Sequence, residues 1–180
     1  MKLVPVDLII VSIYVDDLRV TSIDEKLMLE FKVEMLKVFE MTDLGLMSFS
    51  LGMKVKQDHD GVFICQKKYA KEILKKFCIE DGKSTTPSMN KEEKFSKDDG
   101  VDKVHGMHYI SPIGCLLYLT TTRPNILFAV SILSWFMHCA SEVHLQVAKQ
   151  VVRYIKSTLD YGVAYSHSHN FKLHGYSDND

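Results

Sequence analysis

Leu8-Ile9-Ile10-Val11-Ser12-Ile13-Tyr14-Val15-Asp16-Asp17-Leu18-Arg19-Val20 is the stretch on which the fold turns. An apolar run ends in two adjacent aspartates, and a second apolar stretch, Leu18 to Val20, follows at once. The pattern reads strand, tight turn, strand, so it predicts a β-hairpin with the acidic pair at its tip. Carboxylates beside a buried strand are costly unless their charge is compensated, and a divalent cation is one such partner. At a hairpin tip Asp16 and Asp17 are placed to grip Mg²⁺ for phosphoryl chemistry. Asp is also an ordinary turn residue, so a solvated Asp-Asp turn explains Tyr14-Val15-Asp16-Asp17 equally well.

Downstream, Ser22-x-x-Glu25 reads as a capping box. Leu27, Met28, Phe31, Met35, Val38 and Phe39 then recur at helical spacing, against a polar face of Glu30, Lys32, Glu34 and Lys37. Gly45 and Gly52 break that pattern. A second hairpin follows, from Leu51–Gln57 and Val62–Gln66 around Asp58-His59-Asp60-Gly61. Next comes a short helix with Tyr69, Ile73, Leu74 and Phe77 on one side and Lys67, Lys68, Lys71, Lys75 and Lys76 over much of the rest. The polar stretch from Thr85 to Asp102 reads as a linker. Three helices are predicted beyond it, over Ile113–Thr120, from Pro124 to about Cys139, and over Val143–Thr158. Val163–Tyr165 and Phe171–Tyr176 read as a terminal pair of strands.

Composition narrows the function. The 180 residues suffice for one ordinary domain or two small lobes, and 22 Lys plus Arg against 23 Asp plus Glu give a net charge of −1. A nucleic-acid partner would therefore have to be met by local patches. Two are candidates: the lysine helix, and the stripe Lys149, Arg153 and Lys156 on the last helix. Either also reads as an ordinary solvated face. Cys65, Cys78, Cys115 and Cys139 form no C-x-x-C pair and suit an intracellular, reduced protein. Asp7 interrupts the apolar start, which argues against a secretory leader. The longest apolar stretch, near Ile126–Met137, falls short of the roughly 20 residues that span a bilayer, so no membrane partner is expected. Histidines, among them His167 and His169, show no zinc spacing, and neither a phosphate-cradling glycine loop nor G-x-S-x-G occurs.

Taken together, the blocks resemble one family. Tyr14-Val15-Asp16-Asp17 resembles the Y-x-D-D box of reverse transcriptases. Phe39-Glu40-Met41-Thr42-Asp43-Leu44-Gly45, Leu51-Gly52, Gln66-Lys67-Lys68-Tyr69-Ala70, Tyr118-Leu119-Thr120-Thr121-Thr122-Arg123-Pro124 and Leu159-Asp160-Tyr161-Gly162 are similar, in order, to blocks of copia-type LTR retrotransposon Pol. Gly175-Tyr176-Ser177-Asp178-Asn179-Asp180 is similar to the opening of that polyprotein's RNase H domain.

The resemblance implies an α+β fold: a partial palm of catalytic hairpin, helix and second hairpin, then a mainly helical thumb and connection and a short terminal strand pair. It divides the chain into palm (1–66), start of thumb (67–84), linker (85–102), helical thumb and connection (103–160) and the start of an RNase H-like domain (161–180). It makes Asp16 and Asp17 polymerase metal ligands, flanked by Tyr14 and Val15, and Asp178 the first acidic ligand of RNase H. Lys67, Lys68, Lys71, Lys75, Lys149 and Arg153 would bind nucleic acid. The implied cofactor is Mg²⁺ or Mn²⁺, and the implied partners are an RNA/DNA template-primer and the remaining Pol segments.

Three positions depart from the family pattern: Arg19, where an apolar residue is usual, Ser50, where an aromatic is common, and Leu145, where Trp is usual. An arginine in a strand buried on both faces needs a partner or a route to water. The family's further polymerase aspartate lies upstream of the hairpin and further RNase H carboxylates lie beyond Asp180. The isolated chain is therefore expected to lack polymerase and nuclease activity, with a non-catalytic binding module as the alternative.

Overall fold

The strand, helix and turn signals above resolve into five helices and two antiparallel sheets in a computed structural model that describes residues 8–79, 95–96, 100 and 102–166. The α+β class follows directly. The chain divides after Gly45 into two compact units, a break that falls inside the segment 1–66.

In the first unit, β1 (Ile9–Tyr14) and β2 (Asp17–Ser22) pair from Ile9↔Ser22 to Tyr14↔Asp17, leaving Val15 and Asp16 as the turn. Helix α1 (Glu25–Val38) follows, but its cap differs from the expected Ser22 box. Asp24 is the N-cap, accepting from the Lys26 N–H at 2.8 Å. Ser22 is still the last residue of β2; its hydroxyl donates to the Leu8 carbonyl at 2.9 Å and accepts from the Asp24 N–H at 3.1 Å. After the helix, Asp43 accepts from the Gly45 N–H at 2.9 Å and pairs with Lys32 at 3.0 Å; these contacts hold its carboxyl below the usual range. Among the described residues of this unit none is buried. Leu27, Met28, Phe31 and Met35 make the half-buried stripe that the periodicity predicts, while Leu29, Val33, Leu36 and Val38 stay exposed.

The second unit carries a four-stranded sheet in the order β3 (Phe49–Ser50), β4 (Met53–Asp58), β5 (Gly61–Cys65), β6 (Val163–Ser166). Leu51 and Gly52 join β3 to β4 with positive φ at both residues, 48° and 73°, as a type I′ turn requires. The predicted second hairpin is β4–β5, with Asp58 accepting from the Asp60 and Gly61 N–H groups. The strand expected beside β6, at Phe171–Tyr176, lies outside the described residues; among them β6 pairs with β5, Ile64 opposite Val163. Gly162 makes this docking possible. A β-carbon there would collide with the Ile64 carbonyl and lie 2.7 Å from Phe63 Cζ and 2.9 Å from Cys65 Cβ. Gly162→Ala is expected to cost about 1–3 kcal/mol by overpacking, read as a lower urea midpoint.

Helices α2 (Lys67–Lys76), α3 (Gly106–Thr120), α4 (Pro124–Ser134) and α5 (Glu142–Ser157) enclose the core. Helix α2 ends in a Schellman motif: Ile79 N–H donates to the Leu74 carbonyl and Cys78 N–H to that of Lys75, with Cys78 at φ 53° where glycine is usual. Helix α3 begins seven residues before the predicted Ile113 and contains Pro112. Pro112 removes one helical hydrogen bond, a penalty of about 3 kcal/mol. It nevertheless lies on the buried face with Tyr109, Ile113, Leu116 and Leu119, and the buried Tyr109 hydroxyl donates to the Leu133 carbonyl at 2.8 Å. Tertiary packing outweighs the local signal that proline sends. Helix α4 ends at Ser134, short of the predicted Cys139, and continues as turns. Most of the linker 85–102 lies outside the described residues, but Phe95 packs on Phe136 and His144 at centroid distances of 5.9 and 5.4 Å.

Candidate functional site

Residues directly opposite in an antiparallel ladder share a face, and faces alternate along each strand. The β1–β2 register therefore puts Ser12, Tyr14, Asp17, Arg19 and Thr21 on one face and Val11, Ile13, Leu18 and Val20 on the other. Asp16 stands in the turn itself. Tyr14, Val15, Asp16 and Asp17 are all exposed. Val15 has φ 53°, and of the two turn residues it alone takes a positive value, as in a type II′ turn whose first position normally holds glycine. A β-branched residue there stores strain on the order of 1–3 kcal/mol, of the kind that clusters at functional sites.

The donor set fits a hard divalent cation: two exposed carboxylates, adjacent in sequence, with no nitrogen or sulfur ligand beside them in the turn. Arg19 corrects an expectation. It lies in a two-stranded ribbon with no buried residue rather than in a strand covered on both faces, and it is half-buried. Among the described residues no ion pair joins it to Asp16 or Asp17. Among them too, the one cluster of three metal-ligating side chains is Asp58, His59 and Asp60, and there Asp58 Oδ1 is already engaged with turn N–H groups.

The predicted nucleic-acid residues fall into distinct groups in the second unit. Lys67 pairs with Asp160, whose carboxyl that hydrogen bond holds below the usual range, helped by the charges of Lys71 and Lys56. Lys56 was not foreseen, because a single lysine on a strand carries no periodic signal. Lys68, Lys71 and Lys75 are exposed. Lys149 and Arg153 line a half-open groove of about 850 Å³ together with Lys76, Phe77, Leu145 and Val152. Lys149 also approaches Glu142 at 3.9 Å. Leu145, at one of the departing positions, thus lines the same groove as three cations, and Ser50 is the half-buried partner of Met53. Asp178, His167 and His169 lie outside the described residues.

Four of the quoted sequence blocks meet in one place. Gln66 is buried; its amide donates to the Tyr118 carbonyl at 3.3 Å and accepts from the Thr122 hydroxyl at 2.8 Å. Arg123 is 1% exposed, and its guanidinium donates to the Thr158 carbonyl at 2.6 Å, the Thr158 hydroxyl at 2.9 Å and the Leu159 carbonyl at 3.1 Å. It caps the C-terminal end of α5, where a cation meets the negative end of the helix dipole. Burial pulls this guanidinium below its usual pKa. Tyr69 meets Tyr118 edge-on at 4.8 Å, and burial pushes its hydroxyl up to about 12. Tyr118 in turn donates its hydroxyl to the Leu51 carbonyl. In the sequence these blocks stand only as family markers; their convergence has no local signature, since the partners stand 35 to 67 residues apart.

The family model described as "Reverse transcriptase (RNA-dependent DNA polymerase)" matches residues 2–91. The chain is 32% identical over 168 residues to the retrovirus-related Pol polyprotein from transposon RE1 of Arabidopsis thaliana, covering 93% of this chain and 12% of that one. It is 29% identical to the corresponding polyprotein from transposon TNT 1-94 of Nicotiana tabacum, covering 96% of this chain and 14% of that one. An uncharacterized mitochondrial protein of Arabidopsis thaliana, AtMg00810, is 31% identical over 93% of this chain and 70% of its own length. No solved structure gives a significant match.

Proposed function

The chain belongs to the reverse transcriptase (RNA-dependent DNA polymerase) family of retrotransposon Pol polyproteins, and on that premise we propose that it supplies the catalytic hairpin and the duplex-holding helices of an RNA-directed DNA polymerase. In this reading 1–66 is palm, 67–84 opens the thumb, 85–102 links, 103–160 is thumb and connection, and 161–180 leads toward RNase H. The observation that carries the reading is the β1–β2 tip: two exposed carboxylates on a strained turn whose first residue is Val15 at φ 53°.

Asp16 and Asp17 would hold Mg²⁺ or Mn²⁺, which when bound lowers the charge barrier to attack on a phosphoryl group. Asp16 presents its carboxylate from the turn; Asp17, opposite Tyr14, is anchored by the ladder. Nucleotidyl transfer by two ions needs carboxylates on more than one side of the pair. Among the described residues no strand lies beyond β1 or β2 in their sheet. A strand from the remaining Pol segments would pair there and bring a further carboxylate, and another element of those segments would pack on the apolar face of Val11, Ile13, Leu18 and Val20. The 180 residues by themselves are therefore expected not to extend a primer. Extension by the purified chain with Mg²⁺ or Mn²⁺, lost in Asp16→Asn, would overturn that expectation.

A second reading, binding of nucleic acid without catalysis, is favoured by one feature: among the described residues every buried side chain lies in the second unit, with the lysine helix and the basic groove. Anisotropy titration of an RNA–DNA duplex tests the interface common to both readings. Binding should weaken with salt, and Lys71→Glu with Lys75→Glu should lower affinity about tenfold or more and reduce the salt slope by about 2. A flat titration of the unsubstituted chain removes the interface from both readings.

A further inference from the structure

Leu145, Ala148, Lys149, Val152 and Arg153 are spaced i, i+3, i+4, i+7 and i+8 along α5, which puts them on one side of the helix. All five line the half-open groove of about 850 Å³, with Met107, His108, Ser111 and Pro112 of α3 and with Lys76 and Phe77 at the end of α2. Pro112, Ala148 and Val152 are buried, Leu145 and Phe77 half-buried, and Lys76, Lys149 and Arg153 exposed, so most of the apolar surface lies deeper than the charge. Met107 is the exception, an apolar side chain 68% exposed. The charge is of one sign. Among the described residues no aspartate or glutamate lines the groove, and no ion pair engages Lys76 or Arg153. Lys76 Nζ lies 5.6 Å from the Phe77 ring centroid and 3.8 Å from Cys115 Sγ, and neither contact brings a carboxylate. Lys149 approaches Glu142 at 3.9 Å, and a pair as exposed as this one contributes little.

We propose that this groove is a docking site for an acidic amphipathic helix of a protein partner. Its apolar side chains would pack on Phe77, Met107, Leu145 and Val152, and its carboxylates would reach Lys76, Lys149 and Arg153. Charge and apolar surface each restrict the occupant. A phosphate backbone answers the cations but leaves the apolar surface uncovered, because its contacts come from charged and polar groups. A wholly apolar partner desolvates three cations and gives them nothing in return. A helix with apolar residues at i, i+3, i+4 and i+7 and carboxylates beside them meets both demands at once. Residues 80–94 of this chain hold one large apolar side chain, Met89, so the apolar face comes from another molecule. Lys71 and Lys75, on which the nucleic-acid readings are tested, do not line the groove, so the two interfaces stand or fall separately.

The test titrates the full chain into a labelled, alanine-based helical peptide and reads fluorescence anisotropy. The peptide carries leucine at i, i+3, i+4 and i+7 and glutamate at the flanking positions. Saturable binding is expected. Exchanging its glutamates for glutamine, or its leucines for serine, should each lower affinity about tenfold or more, since each removes one half of the match. On the protein, Lys149→Glu with Arg153→Glu should lower affinity about tenfold or more and flatten its salt dependence. Met107→Ser should lower it about threefold and leave the salt dependence in place. All three positions are exposed, and urea midpoints matching the parent chain's would show that the variants fold. No binding overturns the proposal, and so does binding that survives the loss of the leucines, which would be charge alone. Displacement of the peptide by an RNA–DNA duplex whose own affinity ignores Met107→Ser gives the groove to nucleic acid and overturns it as well. A dimer in sedimentation that Met107→Ser dissolves, with no peptide bound, gives the face to a second copy and overturns it too.

Discussion

Asp16→Asn, introduced into the Pol polyprotein segment that carries this hairpin, is expected to lower single-turnover primer extension by about 10²–10³-fold. The exchange keeps the shape of the side chain and removes its charge, so the turn from Tyr14 to Asp17 keeps its ladder and its strain at Val15. What is lost is an oxygen donor of full negative charge at the point where a hard cation would sit. Removing one preorganised electrostatic contact from a nucleotidyl-transfer site, as proposed for this hairpin, is worth on the order of 10²–10³ in rate. Asp58→Asn is the control, since Asp58 belongs to the other exposed acidic turn and serves its own backbone N–H groups. Equal losses from both exchanges would show that charge near the sheet, rather than the hairpin tip, matters to the reaction.

Arg123→Met should be the most destabilising single substitution in the helical unit, at about 3 kcal/mol or more. Methionine keeps much of the stem volume but leaves the Thr158 and Leu159 carbonyls and the Thr158 hydroxyl without the donors they have now. Hydrogen bonds from a charged donor contribute about 1.5–3 kcal/mol each, and their loss inside a core is not refunded by water. Arg123→Lys should recover part of the loss only, because an ammonium cannot reach two successive carbonyls in the planar fork that a guanidinium presents. Urea unfolding followed by helical circular dichroism gives both values. A loss under about 1 kcal/mol for Arg123→Met would mean that α5 ends without needing this cap.

Local pattern carried a good deal of this. Apolar runs broken by Asp16-Asp17 and by Asp58-His59-Asp60-Gly61 produced two hairpins where they were expected, because alternation and turn chemistry are properties of neighbouring residues. The helical spacing of Tyr69, Ile73 and Leu74 likewise marked the buried side of α2. It is silent where distant packing decides. The helix predicted from Ile113 begins at Gly106 and carries Pro112 on its buried face. Lys67 pairs with Asp160, 93 residues away, a contact that no local pattern signals.

The candidate site divides in the same way. Asp16 and Asp17 were legible because two carboxylates at the end of an apolar run are locally expensive, and their position at a turn needs no other part of the chain. The blocks around Gln66, Tyr118, Arg123 and Asp160 were visible as a family resemblance but not as contacts. Periodicity tells which face of an element is covered and is silent about what covers it.

By itself, then, the sequence determined the elements, the acidic tip and the family, all of which rest on residues close together along the chain. Only the tertiary structure decided that Arg123 is buried on the end of α5, that β6 joins the sheet of the second hairpin, and that Tyr118 donates to the Leu51 turn. Each of those depends on free energy gained between segments tens of residues apart. The cost of closing such loops, and the reward for doing so, belong to the folded chain as a whole.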